Sequence, residues 1–200
     1  KFLPSFKNPQ VSVLSTHPVS GAVSYKLVPA TQEPTIQDLL RHTSGIAYGE
    51  LTANAPVKDA YTKAKVFLPT IPFDARGISA NEMSEGVGKA PLAQQPGTTW
   101  EYSLSVDIQG RVIEVVSGKR LVDFMNERMF APLKMKDTGF HVSPEKASRL
   151  AEAFPKDPLT GSETEVMWIK GSGGDIGTLK KSGCAALYVD RLRSLTNVYR

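Results

Sequence analysis

The segment Pro96-Gly97-Thr98-Thr99-Trp100-Glu101-Tyr102-Ser103-Leu104 constrains this chain more than any other. A Pro-Gly pair fixes a turn, because proline sets φ near about −65° and glycine takes positive φ without steric cost. From Leu104 the apolar positions Leu104, Ile108, Val112 and Val115 recur at helical spacing, so an amphipathic helix follows the turn and ends at Gly118. The backbone is thereby driven through a corner, with Tyr102 at the entry to the helix. A hydroxyl held there is one way to build a general base for acyl transfer. The competing reading is a packing role, with the ring buried at the helix start and its hydroxyl bonded to a carbonyl.

Other signals divide the chain into short elements. Val11-Ser12-Val13-Leu14 and Tyr25-Lys26-Leu27-Val28 read as strands, the second ended by Pro29. Thr35 N-caps a helix that carries Ile36, Leu39 and Leu40 on one face, Asp38 complements its dipole, and Gly45 is expected to stop it. A helix-compatible stretch runs from 57 to 67, closed by Pro69 and Pro72. Ser79-Ala80-Asn81-Glu82 is a capping box that opens a helix running to Lys89. A further helix extends from Leu121 to Phe130, its apolar side supplied by Leu121, Phe124, Met125 and Met129, and Pro132 ends it. Residues 155–175 look like loop and strand, hold Trp168, and finish in Gly171-Ser172-Gly173-Gly174. With no internal repeat or low-complexity linker, the chain reads as one folded unit dominated by helices.

Charge argues against a nucleic-acid partner. The net charge is +4, from 24 basic and 20 acidic residues, and the longest basic runs are the pairs Lys119-Arg120 and Lys180-Lys181. The single cysteine, Cys184, allows no internal disulfide. His17 and His141 offer no metal-ligand spacing, so neither metal nor cofactor is expected. No apolar run approaches the roughly 20 residues of a membrane span. The chain opens at Lys1 inside what looks like an ongoing element, so it reads as a fragment whose compartment and oligomeric state its sequence leaves open.

Three segments together resemble the serine β-lactamase-like family, which includes class C β-lactamases, penicillin-binding proteins and related esterases. They are Thr35-Ile36-Gln37-Asp38-Leu39-Leu40-Arg41-His42-Thr43-Ser44-Gly45, then Pro96 to Ser103, then Phe130-Ala131-Pro132-Leu133-Lys134-Met135-Lys136-Asp137-Thr138-Gly139-Phe140. Their order and spacing fit, and Lys1-Phe2-Leu3-Pro4 looks like the segment after the family's nucleophile helix. The resemblance implies an α+β fold of β-lactamase/transpeptidase type, an antiparallel sheet flanked by helices with an inserted, mostly helical region. Residues 1–175 are expected to hold mainly that helical part, and 176–200 a divergent or artefactual tail.

The family's chemistry uses a Ser-x-x-Lys nucleophile, a Tyr-x-Asn-like motif and a Lys-Thr-Gly-like strand. Tyr102 matches the tyrosine of the second motif, which implies a proton shuttle. Ser103 and Leu104 are then implied to contact substrate. Leu104 stands where a β-lactamase has asparagine, which favours an esterase-like hydrolase, and Ser103 supports that shift. The resemblance makes His42, Thr43, Ser44 and Gly45 structural, His42 being otherwise a candidate base without a Ser-His-Asp constellation around it. Trp168 is a candidate for the acyl pocket, with a core role as its alternative.

Two matches to the remaining motifs fail. Ser143-Pro144-Glu145-Lys146 follows the tyrosine instead of preceding it and reads as a helix start. Lys181-Ser182-Gly183 comes too soon after the tyrosine, and the glycine run at 171–174 lacks the ending of a phosphate-binding loop. The expected function is that of a serine hydrolase fragment acting on an ester, a β-lactam or a peptide. The alternative is a catalytically inactive binding or scaffold domain.

Overall fold

A computed structural model describes residues 1–67, 78–140, 144–149, 166–170 and 176–180. Strands β1 (Gln10–Thr16) and β2 (Val23–Pro29) form an antiparallel hairpin in the register Gln10↔Pro29 to Thr16↔Val23. Five helices follow: α1 (Ile36–Arg41), α2 (Ala55–Lys63), α3 (Ala80–Lys89), α4 (Ser105–Ser117) and α5 (Leu121–Met125). Short 3₁₀ turns occupy Pro4–Phe6 and Pro144–Arg149. A second antiparallel pair, β3 (Val166–Lys170) and β4 (Ile176–Lys180), completes the α+β set.

The helix ends obey their local chemistry. Thr35 and Asp38 close a reciprocal capping box on α1, and Ser79 and Glu82 close another on α3. Asn54 caps α2 through Val57 N–H, with Pro56 in its first turn. Gly118, at φ 67°, ends α4 in the left-handed conformation that glycine adopts most cheaply.

One core joins most of these elements. Val11 of β1, Leu39 of α1, Ile46, Val57 and Tyr61 of α2, Met83 and Val87 of α3, and Leu104 and Ile108 at the head of α4 pack together. Each fully buried aliphatic side chain of this kind contributes about 2 kcal/mol. β1 also takes a single-residue parallel partner: Ser12 N–H donates to Leu92 O and Leu92 N–H to Gln10 O, both at 2.8 Å. That link ties the loop leading to Pro96 to the hairpin. A smaller cluster of Ala80, Leu121 and Phe140, joined by Ile113, Val122, Met125 and Phe130, holds the far end of α4.

Three expectations about the helices need correcting. α1 stops at His42, not at Gly45, because His42 itself takes the left-handed conformation at φ 55°. Only Leu39 of its three apolar residues is buried, with Ile36 and Leu40 exposed. Asp38 takes the inward position, and residues two places away lie about 200° around the helix. The run from Leu121 to Phe130 is not one regular helix either. It widens after Met125 into a π turn over Asn126–Phe130, where Ala131 N–H reaches back to Asn126 O, and Met129 turns outward.

Candidate active site

The corner is assembled by two segments about sixty residues apart in sequence. After α1 the backbone of 42–45 runs beside that of 93–101. Ala93 N–H donates to Gly45 O at 2.8 Å, Gly97 N–H to Thr43 O at 2.7 Å, and Glu101 N–H to His42 O at 2.9 Å. Gly45 lies at φ 78°, and a Cβ there would sit 2.2 Å from Gln94 O, so no other residue permits this approach. Thr43 Oγ1 donates to Asp38 Oδ1 at 3.1 Å, fastening the turn back onto α1. Burial of Asp38 raises its pKa, but the hydrogen bonds from Thr35 and Thr43, with Arg41 nearby, together bring it below the usual carboxylate value.

Tyr102 stands three residues ahead of α4. Its ring lies between His42, at 5.1 Å and 38°, and Tyr48, at 5.3 Å and 37°. The residue is 42% exposed, with both rings in tilted contact with its own. Among the described residues, no hydrogen bond restrains its hydroxyl. Trp100 is exposed beside it, edge-on to His42 at 6.4 Å. Burial pushes the Glu101 carboxyl up, and its hydrogen bond with Gln94 works the other way.

Beneath the tyrosine runs a buried line of hydroxyls. Ser103 Oγ lies 3.2 Å from His42 Nδ1, and Ser103 N–H donates to the same nitrogen at 3.2 Å. Ser103 Oγ is 2.8 Å from Ser105 Oγ, which is 2.9 Å from Ser44 Oγ. All three serines are at most 1% exposed. Burial holds the His42 imidazole below the ordinary histidine pKa.

Of the residues singled out from sequence, the structure brings His42, Thr43, Ser44, Gly45, Tyr102, Ser103 and Leu104 to one place. Ser103 and Leu104 both point inward there, Ser103 into the hydroxyl line and Leu104 into the main core. Trp168 falls on β3, opposite Thr178 of β4, and its side chain lies outside the described residues, as do Ser143, the glycine run 171–174 and Lys181-Ser182-Gly183. Among the described residues, no cluster of His, Cys, Asp or Glu could hold a metal, and no helix is long and apolar enough to cross a membrane. Sequence reasoning missed Ser105 and Tyr48. The signal for Ser105 was the two-residue spacing of Ser103 with Ser105 and of His42 with Ser44, which can put polar groups on one side of a non-helical segment.

The arrangement presents a partly exposed tyrosine on a braced corner. Comparison with known proteins places the chain in a family. Esterase EstB of Burkholderia gladioli is 34% identical over 106 residues, covering 53% of this chain and 26% of that protein. The lovastatin esterase of Penicillium rubens is 32% identical over 133 residues, 65% of this chain and 30% of that protein. The chain therefore spans about a third or less of the length of the curated relatives it matches. The solved structure of EstCE1, described as a hydrolase with promiscuous acyltransferase activity, superimposes with a TM-score of 0.56 at 22% identity, covering 90% of this chain and 42% of that one. It shares the fold. The Beta-lactamase family model matches residues 16–183, and the chain belongs to that family.

Proposed function

We propose that this chain is the central portion of a serine hydrolase that acts on an ester through an acyl-enzyme, with Tyr102 as its proton shuttle. The observation that carries the proposal is the setting of Tyr102, partly exposed and in ring contact with His42 and Tyr48. A phenol that moves protons needs an open hydroxyl and a fixed ring, because a small misplacement of a catalytic group costs large factors in rate. The esterase relatives support an ester, and Leu104 supports it further, since an apolar, buried side chain offers no amide to a β-lactam.

In this mechanism a serine hydroxyl of a Ser-x-x-Lys motif adds to the ester carbonyl carbon, and its proton passes to the lysine–tyrosine pair. Collapse of the tetrahedral adduct expels the alcohol, which takes that proton from Tyr102. Water then adds to the acyl-serine, giving up a proton by the same route, and the carboxylic acid leaves as the serine hydroxyl is restored. Residues 1–200 contain no Ser-x-x-Lys ahead of Tyr102, so the chain on its own is expected to turn over neither p-nitrophenyl butyrate nor nitrocefin.

The test is Tyr102→Phe in the full-length protein with p-nitrophenyl butyrate as substrate. A fall in kcat of about 100-fold or more, with KM little changed and circular dichroism intact, is expected. A kcat within twofold of the parent would overturn the role of Tyr102. A full-length protein inert to esters and β-lactams alike would instead favour an inactive binding domain.

A further inference from the structure

The hydroxyl line has a direction. Ser44 Oγ accepts from Ile46 N–H at 3.3 Å, and Ser105 N–H donates to Ser103 Oγ at 3.4 Å. Among the described residues, Ser105 Oγ is the hydrogen-bond partner of Ser44 Oγ that can accept its proton. Ser44 must then donate to Ser105, Ser105 to Ser103, and Ser103 to His42 Nδ1. In this sense all three buried hydroxyl protons find acceptors. Run the other way, the Ser44 proton has none, and an orphaned buried donor is costly.

His42 Nδ1 therefore receives both the Ser103 hydroxyl and the Ser103 amide, so it carries no proton, and Nε2 carries the ring's hydrogen. Protonating Nδ1 would set N–H against N–H at Ser103, reverse the line and orphan Ser44. The ring whose protonation state is thus fixed is the one lying against Tyr102, while Nδ1 grips the residue next to Tyr102.

We propose that His42 is a positioning residue for Tyr102, locked neutral by the Ser44–Ser105–Ser103 relay, and that protonating it releases the corner that presents the tyrosine. This rests on Tyr102 being the proton shuttle. Among the described residues, the following ionisable groups lie around the imidazole or on the elements packed against it. The Tyr102 ring contacts it from the corner, and Tyr48 contacts Tyr102 in turn. Arg41 precedes it on α1, and Asp38 is engaged by Thr35 and Thr43. Glu101 meets it through its own amide, with its carboxyl bonded to Gln94, and Asp107 of α4 is buried with a partner.

The first arm of the test is ¹⁵N NMR of the histidine rings, of which the chain has only His17, His42 and His141. His42 is expected as the Nε2–H tautomer, titrating below about 6.5, the ordinary histidine value. Ser105→Ala, which cuts the relay, should raise that midpoint. An Nδ1–H tautomer, or a midpoint unmoved by Ser105→Ala, overturns the relay.

The second arm is kinetic, in the full-length protein. His42→Phe keeps a ring against Tyr102 but has no acceptor, and kcat should fall about tenfold or more with KM unchanged. His42→Asn keeps an acceptor near the Nδ1 position and tolerates the left-handed backbone. It should recover most of the lost kcat and flatten the acid limb of the pH profile. If His42→Phe keeps its kcat while Tyr102→Phe loses it, the positioning role falls and the shuttle stands. If Tyr102→Phe is fully active, the shuttle falls, and the NMR arm decides the relay by itself.

Discussion

The two ends of α4 are supported by opposite means. At its head, Leu104, Ser105 and Ile108 are buried, and the polar groups nearby, the serine hydroxyls and the Asp107 carboxyl, are buried with partners. Toward its tail, Val115 and Val116 are exposed, and the polar atoms are mostly ions at the surface. Lys119 pairs with Glu127, and Arg120 with Asp123 at 3.9 Å, every member about half exposed or more. Exposed ion pairs of this kind contribute little, because water and salt screen them. A buried hydroxyl left without its partner costs more than such a pair gains. One half-buried device links the tail to α5: Glu114 pairs with Arg111 and accepts the Leu121 amide at 2.9 Å. Buried polar contacts are therefore concentrated where Tyr102 enters, and the tail rests on a smaller apolar cluster.

Substitutions can break that contrast. The largest effect is expected for Gly45→Ala, whose Cβ would meet Gln94 O at 2.2 Å in a left-handed backbone. A loss of about 3 kcal/mol or more follows, read as a collapse of the urea midpoint. Next comes a matched pair of truncations. Ile108→Ala, at the head of α4, should cost about 4 kcal/mol, and Leu121→Ala, in the smaller cluster at the tail, about 2 kcal/mol. Equal losses would show that the two ends are supported alike.

The smallest effect is a pH dependence. His42 titrates lower in the folded protein than in the unfolded chain, so the unfolded state binds its proton first. Stability from this group is complete above about 6.5 and is lost as pH falls through the depressed folded value. In His42→Asn that part of the slope of unfolding free energy against pH should vanish.

Much of this was legible in residue order. Thr35 with Asp38, Ser79 with Glu82, and Gly118 announce helix ends because capping is a local matter, settled within one turn. The tyrosine corner was visible from Pro96-Gly97 and the helix behind it. The stop at His42 was not, since glycine is the usual residue in a left-handed helix end and the sequence offered Gly45 for it. The exposure of Leu40 was hidden because Asp38 claims the inward face only once Thr43 folds back onto it. The hydroxyl relay escaped altogether. It joins residues 61 positions apart, and no periodicity in either segment states that they meet.

That separation has a kinetic consequence. Helix–coil exchange takes about a microsecond or less, but contacts across a loop of some sixty residues wait on chain closure. Tyr102 has no place until 42–45 has met 93–105, and α2, α3 and the hairpin lie in or beside the loop that must close. On refolding, the amide protection of Ser103 should lag behind the far-ultraviolet signal of the helices. A partly folded chain can then be rich in helix while its tyrosine corner is still unmade.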